Sequence, residues 1–194
     1  MKIFVLFAAV CVAVVSSQVL QPCSPPPLWE ARISRIDPEK RFSERARISY
    51  DATNRRIRVI EEVNIRDDKE YFDVLYIHNT EPGTEYRFNL KTKECNKKEI
   101  EDAWRPFEVP PNSTFLGESY IGTGAVPGAG VQTQLWDKAF ESGDKYFGVY
   151  TVVGCIPIQE EFYSRRTGLV TSTFFDVTAG ISDPNVFIPP RECE

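Results

Sequence analysis

The only histidine, His78, ends the apolar run EYFDVLYI. Imidazole is the usual general base near neutral pH, but it needs a nucleophile and an orienting acid beside it. No G-x-S-x-G elbow supplies that nucleophile, so His78 reads as an ordinary polar residue at a strand end. Glu160 and Glu161 in IPIQEEFY point to opposite faces of an extended strand and cannot jointly flank one glycosidic bond. GTGAVPGAG, residues 122–130, is as glycine-rich as a phosphate-binding loop. However, no Gly-Lys-Ser/Thr closes it and no βαβ pattern surrounds it, which predicts a flexible hairpin loop. Arg55-Arg56 and Arg165-Arg166 have the form of dibasic processing sites, but each lies in or beside an expected strand and is read as sheet face or strand end. Asp67, Asp68, Asp176 and Asp183 offer hard oxygen ligands to calcium, although no D-x-[DN]-x-[DN]-G loop gathers them. These residues predict a protein that is not an enzyme, has no catalytic residues and needs no cofactor, with calcium as a candidate ion and no metal ligand set defined.

The compartment follows from the N-terminus and the cysteines. MKIFVLFAAVCVAVVSS places Lys2 before an apolar run, Ile3 to Val15, and ends on small residues, the form of a secretory signal peptide over residues 1–17. The run is shorter than the ~20 residues needed to cross a bilayer. Cleavage after Ser17 removes Lys2 and takes the net charge from −5 to −6, which opposes binding to nucleic acid or an anionic membrane. It also removes Cys11, leaving Cys23, Cys95, Cys155 and Cys193. Four cysteines in an oxidising compartment predict two disulfides, and spacing alone leaves all three pairings open. None of the four is close enough to another to read as a C-x-x-C zinc pair. Asn112-Ser113-Thr114, beside Pro110 and Pro111, is a glycosylation acceptor in a segment the prolines keep irregular and exposed.

These features sit on a chain dominated by period-two alternation. EYRFNL sets Tyr86, Phe88 and Leu90 against Glu85, Arg87 and Asn89; RIRVIE sets Ile57 and Val59 against Arg56 and Arg58. Turn signals at 51–54, 81–83 and 142–144 separate about ten expected strands, the pattern of an antiparallel sandwich or open barrel in one domain over residues 18–194. Helix is minor; the one short candidate is Asn96 to Trp104, where Asn96 could cap and Glu99 sits three residues on, though a strand fits as well. Thirteen Phe, eight Tyr and three Trp are enough either to fill a core or to wall a cavity, and the sequence leaves both open.

Six blocks carry a more specific signal: PCSPPPLWEAR, ISYDATNRRIRVIEE, TKEC, VPPNSTF, GVYTVVGCIPIQEEF and FFDVTAGISDPNVFIPPREC. In content and order they resemble the ependymin family over nearly all of the chain that follows the signal peptide. The resemblance implies two antiparallel sheets curved around an apolar pocket, similar to bacterial lipoprotein carriers. It also implies a secreted, glycosylated protein, often a homodimer, that binds lipid or another hydrophobic molecule, with calcium association in some members and no established catalysis. The family pattern pairs the cysteine of the PC block with the one before IP, here Cys23 with Cys155, and that of TKEC with the last, here Cys95 with Cys193. The third bridge of many vertebrate relatives has neither of its cysteines here. VPPNSTF matches a glycosylated family position, Asn112.

The expected function is therefore extracellular, non-enzymatic binding of a fatty acid or glycolipid in a pocket between sheets. Alternation nominates Tyr50, Ile57, Val59, Tyr86, Phe88 and Phe175 as pocket-facing. The alternative is a component of extracellular or calcified matrix with a calcium-associated structural role; the scattered acidic residues argue against dense mineral binding. The C-terminal DPNVFIPPREC is unusually stiff for a tail. Its prolines, Phe187 and Cys193 predict an anchored clasp rather than a frayed end.

Overall fold

A computed structural model describes residues 21–193 apart from Asp67 and Asp102. The expected signal peptide, with Lys2 and Cys11, and the calcium candidate Asp67 lie outside the described residues. The described residues form eleven strands: β1 Leu28–Asp37, β2 Phe42–Asp51, β3 Arg56–Ile65, β4 Asp68–Ile77, β5 Gly83–Asn89, β6 Cys95–Ile100, β7 Thr114–Gly122, β8 Gly130–Ala139, β9 Lys145–Thr151, β10 Pro157–Ser164 and β11 Gly168–Ala179. Two short 3-10 turns follow, Pro184–Phe187 and Arg191–Cys193. The candidate helix from Asn96 is strand β6 instead. Its backbone pairs with β5 from Gly83↔Ile100 to Phe88↔Cys95, which satisfies its amides and leaves Asn96 no helix to cap.

All eleven strands belong to one antiparallel sheet in the order β6-β5-β4-β3-β2-β1-β11-β10-β9-β8-β7. The two sheets expected from the sequence are thus two halves of one, joined where β1 pairs with both β2 and β11. The ends β6 and β7 do not pair, so the sheet stays open. Each half is a meander of hairpins, and the tight turns carry residues suited to them. At the β7–β8 turn Gly122 has φ +93, and a Cβ on Gly130 would lie 2.5 Å from the Thr123 carbonyl oxygen; GTGAVPGAG is the hairpin loop its composition predicts.

Register assigns every side chain to a face, because directly paired residues share one. Trp29, Tyr50, Ile57, Tyr76 and Glu85 form one continuous row; Ala31, Ile48, Val59, Val74 and Arg87 form the next. In the other half Arg35, Ser172, Glu160, Gly148 and Trp136 continue the same side. This inner face carries two buried clusters. One contains Trp29, Ile33, Ile48, Tyr50, Val59 and Phe174; the other Trp136, Tyr146, Tyr150, Val109 and Cys155. The connection from β6 to β7, residues 101–113, crosses the inner face and contributes to both: Trp104 and Phe107 pack on the first cluster, and Val109 is buried in the second. Tyr50 stacks on Trp104 with centroids 5.7 Å apart, and its hydroxyl accepts the Phe107 N–H at 3.2 Å. Burial drives the Tyr50 pKa up to about 12, so this hydroxyl stays neutral.

The outer face is covered differently. After β11 the chain returns across β3 to β6. The Asp183 side chain accepts the Asn185 N–H at 2.9 Å, and Arg58 donates to the Val186 and Ile188 carbonyls at 3.1 and 2.7 Å while also gripping Asp73. Phe187 is buried beneath the Arg56 guanidinium, 4.4 Å from its centroid. Cys193 is bonded to Cys95, and Cys23 to Cys155. Leu75 and Phe88, which point outward by register, are buried on this covered face.

Candidate ligand-binding site

A pocket of about 290 Å³ lies between the inner face of β9–β11 and the crossover segment 101–113. Its walls are Phe107, Phe140, Phe162, Val170 and Tyr146, with Pro106, Pro110 and Pro111 stiffening the crossover side; Arg35, Arg105, Glu108, Glu160 and Ser172 supply the polar atoms. The volume is at the small end of the range for small-molecule sites, and apolar walls with few polar groups are their usual composition. The sheet provides one wall and an irregular strap the other. Lys138 ties that strap to β8 through the Pro111 carbonyl. At the mouth the exposed Arg105 guanidinium lies 4.1 Å from the Phe162 ring centroid, a cation–π contact.

The strand carboxyl that faces the pocket is Glu160. β10 turns it inward because its register partners, Ser172 and Gly148, are both on the inner face, while Glu161 faces out beside Thr171 and Phe147. Gly148 is required there: a Cβ would meet the Tyr146 hydroxyl at 2.2 Å. The Tyr150 hydroxyl donates to Glu160 Oε1, and the Tyr146 and Tyr150 hydroxyls are 2.8 Å apart. Burial is the largest influence on Glu160 and raises its pKa to about 7, against smaller opposing effects from Tyr150, Arg35 and Tyr146. Burial and the Glu160 charge likewise hold both tyrosines well above their ordinary value. The carboxyl is deep in the fold yet keeps some solvent exposure, because it opens into the pocket.

None of the six residues nominated by alternation lines this pocket. Tyr50, Ile57 and Val59 are on the inner face, but in the first apolar cluster or packed against it. Tyr86 and Phe88 are corrected to the outer face, where they share rows with Arg58 and Asp73. Their neighbours Glu85 and Arg87 turn inward because partners await them: Arg87 donates to Glu61 and Glu85 at 2.9 Å each and to the Tyr76 hydroxyl at 3.2 Å. Phe175 also faces outward and is half exposed; of the adjacent pair, Phe174 takes the inner position opposite Ile33. Two of the acidic calcium candidates have protein partners, Asp176 with Arg32 at 2.6 Å and Asp183 with Asn185, and no cluster of three metal-ligating side chains occurs among the described residues. His78 packs edge-on against Trp104 at 5.3 Å. Asn112, the glycosylation acceptor, is exposed in the turn between Pro111 and β7, at φ +60.

The fold and site define an all-β protein with an open antiparallel sheet curved about an apolar pocket, and with no helix among the described residues long and apolar enough to cross a membrane. Residues 66–193 match the ependymin family model, and the chain belongs to the ependymin family. It is 34% identical to mammalian ependymin-related protein 1 of Mus musculus over 90% of this chain and 77% of that one. It is 29% identical to ependymin of Notemigonus crysoleucas over 98% and 87%. Among solved structures, an uncharacterized conserved protein from Thermus thermophilus shares the fold with a TM-score of 0.54 at 9% identity, covering 87% of this chain and 89% of that one. A putative outer membrane lipoprotein-sorting protein domain from Vibrio parahaemolyticus aligns with a TM-score of only 0.35, too low to bear on the fold.

Proposed function

We propose that this protein is a secreted carrier that takes the hydrocarbon chain of a fatty acid or glycolipid into the pocket under the 101–113 crossover. The observation that carries the reading is the pocket's composition: three phenylalanines and a valine form its walls, and Glu160 is held by tyrosine hydroxyls at its base. Such walls bind through apolar area removed from water, at about 25 cal/mol per Å2, with few polar groups to orient a head. Arg105 at the mouth would meet a polar or anionic headgroup left in solvent. The N-terminal signal sequence and the exposed Asn112 sequon support secretion with a glycan attached. The reading is binding without turnover, with Ser172 and Glu160 as polar lining of an otherwise apolar pocket.

The test is uptake by delipidated protein of fluorescent fatty-acid and glycolipid probes. Saturable binding that is competed by unlabelled fatty acid and weakened in Phe162→Ala is expected. Uptake that never saturates, or is unchanged in Phe162→Ala, would remove the pocket from the account.

A further inference from the structure

Among the described inner-face carboxylates, Glu61 and Glu85 meet Arg87, and Glu44 meets Arg35 at 3.1 Å. Glu160 instead receives hydroxyl donation from Tyr150, and its carboxyl faces the cavity. The charged and titratable groups around it are few: Tyr146 and Tyr150 from β9, Arg35 from β1, already engaged by Glu44, Tyr50 from β2, whose pKa the Glu160 charge helps to raise, and Arg105 and Glu108 from the crossover. Ser172 faces it from β11 and does not titrate.

We propose that Glu160 is a proton-controlled floor for the pocket, so that an alkyl chain enters tail-first when Glu160 is neutral and is released when Glu160 ionises. This rests on the reading of the pocket as a site for a hydrocarbon chain. A chain filling the cavity strips the remaining water from the carboxyl, and an ionised carboxylate without water or a cationic partner is costly where a neutral acid bonded to Tyr150 is not. Chain binding therefore favours the protonated form, and by reciprocity protonation favours chain binding. The ordinary pKa of a carboxyl would place this exchange far below physiological pH; burial of Glu160 brings it to about 7. The opposite arrangement, an ionised Glu160 holding an ammonium headgroup at the floor, is disfavoured by the guanidinium groups of Arg35 and Arg105 on the same lining.

The experiment uses the full secreted protein, delipidated, with 1-decanol, whose head does not titrate in the window, and decylamine as contrast. With only the protonated form competent, the apparent Kd for decanol weakens about tenfold from pH 6 to pH 8. The slope disappears in Glu160→Gln. In Tyr150→Phe, which removes the hydrogen bond favouring the carboxylate, its midpoint moves to higher pH. An NMR titration of the Glu160 carboxyl in the unsubstituted protein and in Tyr150→Phe reads the same midpoint independently. Saturable decanol binding that is flat with pH, or whose slope survives in Glu160→Gln, overturns the proton control while leaving the pocket reading intact. Decylamine binding that tightens with rising pH and needs Glu160 overturns it in favour of a counter-ion. Failure of decanol to saturate at any pH overturns the pocket reading and this inference with it.

Discussion

Glu61 and Glu160 occupy equivalent positions in the two halves of one sheet: both face inward from a strand interior, and burial raises the pKa of both. Their surroundings differ. Glu61 lies in a paired network, with Arg87 joining it to Glu85 and Lys98 reaching Glu85 at 3.2 Å, and burial of Arg87 is outweighed by those acidic partners. Glu160 has a tyrosine hydroxyl and a cavity. The β1–β6 half uses buried charge to fix its packing and is fastened from outside by the C-terminal clasp. The β7–β11 half leaves one carboxyl incompletely answered beside space that a ligand can fill. In one sheet, the same residue type thus closes a paired network where a cation meets it and borders open space where none does.

Several perturbations would break or sharpen that contrast. The largest is loss of the clasp: Cys95→Ser with Cys193→Ser opens a loop spanning 98 residues, expected to cost about 4 kcal/mol by urea denaturation. The single Cys193→Ser variant should in addition expose a titratable thiol at Cys95. Next, Arg87→Met strands Glu61 and Glu85 without their shared cation and should cost about 3 kcal/mol, while leaving decanol binding unchanged. A loss of binding in that variant would merge the two halves into one site.

The third perturbation is pH. A carboxyl whose folded pKa is raised contributes stability that is complete below its ordinary value of 4.5 and is lost as pH rises through about 7. At about 1.4 kcal/mol per unit, reduced by the solvent reaching the pocket side, Glu160 should cost about 2 kcal/mol between pH 5 and pH 8. Glu160→Gln should remove that difference, keeping only a slope of the same sign from Glu61; equal slopes in both proteins would contradict the contrast. The smallest effect is that of Tyr150→Phe, which removes one hydrogen bond to the carboxylate and should cost about 1 kcal/mol at pH 8.

Much of the fold could be read from alternation. FSERARISYD in β2 shows its inner row, Glu44, Ala46, Ile48 and Tyr50, against outward Arg45 and Arg47, and the three turns fall between strands as their residues predict. Face assignment failed where burial depends on remote chain. In β5 the apolar Tyr86 and Phe88 look inward by composition, but a tail some hundred residues later covers the outer face, and the inward Glu85 and Arg87 are satisfied by Glu61 and Tyr76 from other strands. Phe174 and Phe175 cannot be told apart by type; the register shift between β1 and β11 decides them. The pocket was hidden because half of it is an irregular strap whose path no periodicity records. One signal was present in IPIQEEFY: alternation separates Glu160 from Glu161, which excludes a carboxylate pair but also sends one acid into the interior.

The central claim is that a hydrocarbon chain occupies the cavity beneath the crossover, and the most direct measurement is the crystallographic position of a chain bearing bromine at its end. With 12-bromododecanoic acid, the account predicts an anomalous peak within the cavity walled by Phe107, Phe140 and Phe162, near Glu160, with the carboxylate toward Arg105. Bromine on the outer face, or a cavity empty at saturating ligand, would contradict it.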